Sequence, residues 1–173
     1  MTSADLPFAQ WADVSRTDRF ICVQPKSGYR MIQPDDDGYA IYLPPNAADD
    51  ALGQALLKCL DKSRFLPPPE EPEFFEWRRY MPLYKNWQKD FMRRYRYKTK
   101  REAYRNWDWC RVERSKGRIS LQPHKCDKPE YFRDLPPDRT VVIAATTDAA
   151  AAGAALRLAL DRCQQTEADD AAD

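Results

Sequence analysis

Leu52-Gly-Gln-Ala-Leu-Leu-Lys-Cys-Leu-Asp61 and Ala152-Gly-Ala-Ala-Leu-Arg-Leu-Ala-Leu-Asp161 read as one segment written twice, one hundred positions apart. In the first copy Leu52, Leu56, Cys59 and Leu60 fall at i, i+4, i+7 and i+8, one face of a helix. Ala152, Leu156, Ala159, Leu160 and Cys163 repeat that face. Asn46 and Thr146 stand at equivalent places upstream and are the expected N-caps, since either side chain can accept from free amides of the first turn. Before each helix comes a short β-prone run, Tyr39-Ala-Ile-Tyr-Leu43 and Thr140-Val-Val-Ile143.

A weaker repeat lies further upstream. Cys22-Val-Gln-Pro-Lys-Ser-Gly-Tyr-Arg-Met-Ile-Gln-Pro34 resembles Arg111-Val-Glu-Arg-Ser-Lys-Gly-Arg-Ile-Ser-Leu-Gln-Pro123, with Gly28 against Gly117 at an offset of 89. Each reads as strand, tight turn at the glycine, strand, and a proline stop. The two offsets imply 11 additional residues between hairpin and helix in the second copy. Each half is then a hairpin, a third strand and a helix. Two such halves predict an α+β fold: one antiparallel-rich sheet covered by helices. The expected divisions are 20–64 for the first half, 65–108 for a Pro-rich hinge and helical insertion, 109–163 for the second half, and 164–173 for a flexible acidic tail.

The hinge is Leu66-Pro-Pro-Pro-Glu-Glu-Pro72, which cannot be helix interior. In the insertion Pro82 suits a helix N1 position. Tyr84, Trp87, Phe91 and Tyr95 recur at three or four residues and should face the core, and Thr99-Lys-Arg-Glu102 is a capping box opening a second helix to about Trp107. Charge follows the same division. Residues 1–73 carry 7 basic and 12 acidic side chains, 74–118 carry 15 and 5, and 119–173 carry 6 and 10, so a net +1 conceals an acidic, basic, acidic order. Such asymmetry bears on partners and association rates more than on fold.

The 173 residues, 43% hydrophobic and 32% charged, suffice for one domain with a real core. No apolar run can span a bilayer, and the N-terminal stretch has neither basic nor hydrophobic signal regions, so a cytoplasmic location is expected. Cys22, Cys59, Cys110, Cys126 and Cys163 form no C-x-x-C and read as free buried thiols. A single histidine, His124, excludes a two-histidine metal site, and five glycines form neither a P-loop nor G-x-G-x-x-G. No cofactor or metal is expected. His124-Lys-Cys126 sets an imidazole and a thiol on one side of a strand, but without an orienting group or oxyanion hole it reads as structural. Arg93-Arg-Tyr-Arg-Tyr-Lys-Thr-Lys-Arg101 could neutralise phosphates and stack bases, or be a solvated face over core aromatics. Asp35-Asp-Asp37 and Glu70, Glu71 and Glu73 read as solvated turns, or as an acidic docking surface for a basic protein.

Tyr84-x-x-Trp87, Tyr97-Lys-Thr-Lys100 with the aromatic stretch to Cys110, Val112 to Pro123 with His124 and Lys128-Pro129, and Ala152 to Cys163 occur in an ordered spacing. Asp50-Ala-Leu-Gly-Gln-Ala-Leu56 followed by Ser63-Arg64 joins them in the first half. The pattern, from about Phe20 to Cys163, resembles the immunity proteins of bacterial contact-dependent growth inhibition systems. Tyr104-Arg-Asn-Trp107 departs from it, where a Phe-Lys-Asn type is expected.

The resemblance implies a non-enzymatic protein that binds a toxin delivered by a neighbouring cell. The toxin would be the C-terminal domain of a large surface protein, often a nuclease, held in a one-to-one complex with its active site occluded. A nuclease site is basic, so carboxylates that mimic phosphate would serve an inhibitor, and Asp35, Asp36, Asp37, Glu70, Glu71 and Glu73 are the candidates. Two other readings remain: a small nucleic-acid-binding protein using the block 78–118, and an enzyme using His124.

Overall fold

The computed structural model describes residues 6–67 and 71–164. Its strands are β1 (Ala9–Arg16), β2 (Ile21–Tyr29), β3 (Met31–Gln33), β4 (Ile41–Leu43), β5 (Asp108–Ser115), β6 (Arg118–Lys128), β7 (Tyr131–Asp134) and β8 (Val141–Ala144). The helices are α1 (Asp49–Lys62), α2 (Trp77–Arg94), α3 (Lys100–Ala103) and α4 (Ala149–Arg162). All eight strands form one antiparallel sheet in the order β3-β2-β1-β5-β6-β7, with β4 also beside β2 and β8 beside β6. The expected α+β class, the two related halves and the helical insertion between them are all present.

The sheet register contains a local two-fold axis. Val14 pairs with Val23 as Val112 pairs with Leu121, an equivalence of 98 positions. Across the central pair, Ala12 faces Val112 and Cys110 faces Val14, and Asp13 opposite Arg111 lies on the axis itself. β4 and β8 meet their neighbours equivalently, Ile21 with Leu43 and Ile119 with Ile143. The expected alignment of Gly28 with Gly117 is therefore corrected. The copies are β1–β2 and β5–β6, and the second holds two extra residues before its helix, not 11. Gly117 does occupy a turn, following Lys116 with both at positive φ, the pairing a tight hairpin requires. Gly28 lies inside β2 at φ +136°, and Arg30 makes the turn. There the chain 64–66 runs alongside the strand in parallel: the Gly28 amide donates to the Arg64 carbonyl at 3.0 Å, and Leu66 N–H donates to the Gly28 carbonyl. A Cβ at 28 would lie 2.2 Å from the Met31 carbonyl oxygen, so two unlike constraints selected the same residue.

One sheet face carries Ala12, Val14, Ile21, Val23, Cys110, Val112, Ile119 and Leu121, all buried against Leu52, Leu56, Leu60, Leu156 and Leu160 of α1 and α4. Each large apolar side chain there contributes about 1.5–3 kcal/mol. The helices cross reciprocally. A Cβ on Gly53 would meet the Ala149 carbonyl oxygen at 1.6 Å, and one on Gly153 would meet that of Asp49 at 1.7 Å.

The expected caps shift by two residues. Asn46 and Thr146 fall in the turns Pro44–Ala47 and Ala144–Thr147, each closed by a backbone bond. α1 begins after Ala48 with Asp49 and Asp50 in its first turn, favoured by the helix dipole. α4 is capped by Asp148, which accepts from the Ala151 amide at 2.9 Å.

The opposite face is covered in part by the insertion. Phe20, Cys22, Phe91, Tyr97, Ala103, Tyr104 and Trp107 form a second core, with Trp87 and Tyr95 packed on it as the aromatic spacing predicts. Pro82 is interior to α2, which starts five residues before the expected N1. The early turn is anchored by Arg79, which donates to the Phe74 and Pro34 carbonyls and pairs with Asp36 at 2.7 Å. Half of the capping box is present: Thr99 accepts from the Glu102 amide at 3.1 Å, while the Glu102 carboxylate accepts from the Lys98 amide, one residue before the cap. Its helix is the single turn 100–103, shorter than the expected run to Trp107.

Candidate interaction site

Arg64 follows α1 and gathers the acidic loop. Its guanidinium donates to Asp35 at 2.6 and 2.8 Å and to Glu71 at 3.2 Å. Asp35 also accepts from the Ser27 hydroxyl at 2.5 Å. Asp35, first, and Glu71 raise the Arg64 pKa above its ordinary value. Asp36 pairs with Arg79, and Asp37 lies 3.6 Å from Lys62. The structure thus brings Asp35, Asp36, Asp37 and Glu71 to one place and supplies each with a cation from elsewhere in the chain. Glu73 is exposed at the end of the same segment, in the 3-10 turn Pro72–Phe75. Glu70 lies outside the described residues, as does the tail beyond Gln164.

Beside this loop the first half of α2 stands off the sheet and leaves a cleft of about 800 Å³. Trp77, Tyr80, Tyr84, Trp87 and Phe91 run down the helix as a ladder, with successive ring centroids 4.8–6.0 Å apart. The floor is the polar side of the central strands. Arg111 grips Asp13 with two bonds, Nε to Oδ1 at 2.9 Å and Nη2 to Oδ2 at 3.0 Å. Lys26 reaches the same carboxylate only at 4.0 Å. Burial lowers the Lys26 pKa, with Asp13 opposing it. For Arg111 burial also acts downward, and the Asp13 pairing outweighs it. Asp36 and Pro34 line the mouth next to Trp77, so loop and cleft form one continuous surface.

The nucleophilic alternative does not assemble. The Cys126 thiol donates to the Lys128 and Tyr104 carbonyls. Burial pushes it up to about 11, and Cys22, Cys59 and Cys163 up to about 12. His124 Nε2 lies 3.1 Å from Asp134 and its ring lies 4.2 Å from that of Trp109, tilted by 34°, while burial lowers its pKa. Among the described residues no group of three or more His, Cys, Asp or Glu side chains is placed to hold a metal ion, and no helix is long and apolar enough to cross a membrane.

Sequence reasoning missed the cleft. The alternation in Ala-Gln-Trp-Ala-Asp-Val-Ser-Arg, 9–16, would have revealed β1 and put Asp13 on the face opposite Ala12 and Val14. The ladder begins at Trp77, before the proline taken as its start.

An antiparallel sheet with one face sealed by two pseudo-equivalent helices leaves the other open beneath an aromatic helix, beside a charged loop. The chain belongs to the CDI immunity protein family, whose profile matches residues 10–163. It is 32% identical, over 92% of its length and 98% of the relative's, to an immunity protein of Yersinia pseudotuberculosis serotype O:3 (strain YPIII). It is also similar to a chain of a toxin and immunity complex from Yersinia pseudotuberculosis, with a TM-score of 0.86 and 31% identity over 92% of this chain and all of that one. A protein of unknown function from Neisseria meningitidis shares the fold at a TM-score of 0.84, with 26% identity over 95% of this chain and all of that one.

Proposed function

We propose that this chain is a non-enzymatic, cytoplasmic inhibitor that binds the C-terminal toxin domain of its own contact-dependent growth inhibition system in a one-to-one complex. The observation that carries the reading is its likeness, along nearly the whole chain, to a chain from a toxin and immunity complex. The toxin is a nuclease, and the complex occludes its active site. Asp36, Asp37, Glu71 and Glu73 offer their carboxylates to the basic site, with Asp35 holding the loop through Arg64.

Co-expression with the toxin domain encoded upstream tests the function: growth rescue and co-purification are expected, and failure of both refutes it. Replacing Asp35, Asp36 and Asp37 together by Asn tests the loop. The association rate at low salt should fall about tenfold, the low end of electrostatic steering; an unchanged rate removes these residues from the interface. Arg78, Lys85, Lys89, Arg93 and Arg96 expose a basic stripe on α2 and its C-terminal end, which carries the second reading. Salt-sensitive binding of generic RNA or DNA by the free protein would favour that reading.

A further inference from the structure

The carboxylates within reach of the helical insertion are spent. Asp90 pairs with Arg93 and Arg94, Glu102 with Arg19, and Asp108 with Arg16. The flanking segments satisfy other cations of the basic block, Asp36 taking Arg79, Asp13 taking Arg111 and Asp61 taking Arg114. Lys85 and Lys89 on α2, Arg101 on α3, Arg105 just beyond it and Lys128 at the end of β6 are exposed, and none has a carboxylate partner among the described residues.

These cations stand on adjoining elements. Glu130, in the turn after β6, accepts from Tyr84 and Gln88 of α2 at 2.7 and 2.9 Å and from Lys100 of α3 at 3.1 Å, which fastens both helices to the β6–β7 hairpin and occupies both carboxylate oxygens. The next residue, Tyr131, is 56% exposed, with the Lys128 ammonium 5.0 Å from its ring centre. Lys85 and Lys89 lie roughly 120–160° around α2 from the aromatic ladder, so this surface faces away from the cleft. It also shares no cation with the acidic loop, which uses Lys62, Arg64 and Arg79. An anionic membrane surface calls for several exposed apolar side chains beside the charges. Among the described residues of α3 and the β6–β7 hairpin, Tyr131 is the one large hydrophobic side chain so exposed. Unpaired cations around a single bare ring instead match a phosphate chain that carries unstacked bases.

We propose that this surface binds single-stranded nucleic acid, with phosphates on Lys85, Lys89, Arg101, Arg105 and Lys128 and a base stacked on Tyr131. The nucleic acid is a second ligand, added to the toxin and using neither the loop nor the cleft.

The test is fluorescence anisotropy of labelled single-stranded RNA and DNA oligonucleotides of mixed sequence with the full chain, the tighter of the two identifying the polymer. Affinity should fall with salt along a log–log slope of about −3.5, near −0.7 for each cation engaged. Lys85→Gln, Lys89→Gln, Arg101→Gln and Arg105→Gln combined should weaken binding at least tenfold and flatten that slope, and Tyr131→Ala should weaken it about fivefold. Lys58→Gln with Arg118→Gln, which removes exposed cations elsewhere, should stay within twofold of native. All these side chains are exposed, so the variants keep the fold. No saturable binding of either strand at low salt, or an equal loss in the Lys58/Arg118 control, overturns the proposal. Tighter binding to phosphatidylglycerol vesicles than to either oligonucleotide makes this a membrane surface and also overturns it. The combined variant should still co-purify with the toxin domain; loss of that complex places the toxin here and overturns the assignment. The titrations use the chain alone, so their outcome is independent of whether the toxin reading stands.

Discussion

The two faces of the sheet obey different rules. On the α1/α4 face the halves match nearly residue for residue: Leu56 with Leu156, Leu60 with Leu160, Gly53 with Gly153, Val14 with Val112. On the α2 face equivalent positions differ in kind. Asp13 corresponds to Arg111 and Lys26 to His124, and α2 has no counterpart in the described second half. Packing tolerates only what fills the same volume, so a core face preserves a repeat. A face that is not filled by the paired helices is under no such constraint.

The largest effect should come from the symmetric side. Gly53→Ala and Gly153→Ala each drive a methyl into the opposite helix backbone and should cost about 3 kcal/mol in urea unfolding. The two losses should agree closely because the contacts are reciprocal; a large inequality would break the symmetry argument. On the other face the sign depends on which charge is removed. Arg111→Met leaves Asp13 only its distant lysine and should cost about 2 kcal/mol, less than breaking a fully buried pair because the guanidinium keeps some water. Lys26→Met should be neutral or stabilising by up to about 1 kcal/mol, since it removes a desolvated, poorly paired cation. A loss equal to that of Arg111→Met would show that the floor is balanced as it stands.

The smallest effect is on pH dependence. His124 titrates below its ordinary 6.5 in the folded chain because burial disfavours the imidazolium, despite Asp134 beside it. Its contribution is therefore complete above pH 6.5 and declines as pH falls through that value toward the folded pKa, where the unfolded chain binds the proton first. Melting temperatures at pH 7.5 and 5.5 should differ less for His124→Gln than for the native protein. An unchanged difference would mean that Asp134 fully compensates the burial.

The same contrast explains what could be read from the sequence. The α1/α4 repeat was legible because helical periodicity and volume are local and the core enforced both. The hairpin alignment failed because glycine serves a turn at 117 and, at 28, a positive φ with the Met31 carbonyl pressed against its Cα. The acidic run at 35–37 was visible, but its pairing with Lys62, Arg64 and Arg79 depends on contacts over 25–43 positions. The ion pair of Asp13 with Arg111 joins strands 98 positions apart, which no motif spacing records.

That ion pair has a historical consequence. A residue on a two-fold axis faces its own copy when two identical chains associate, so a dimer of half-length ancestors would have set acid against acid or base against base there. Opposite charges at this point require the copies to be encoded separately. The bond between Asp13 and Arg111 is therefore one that no symmetric pair of identical halves could make.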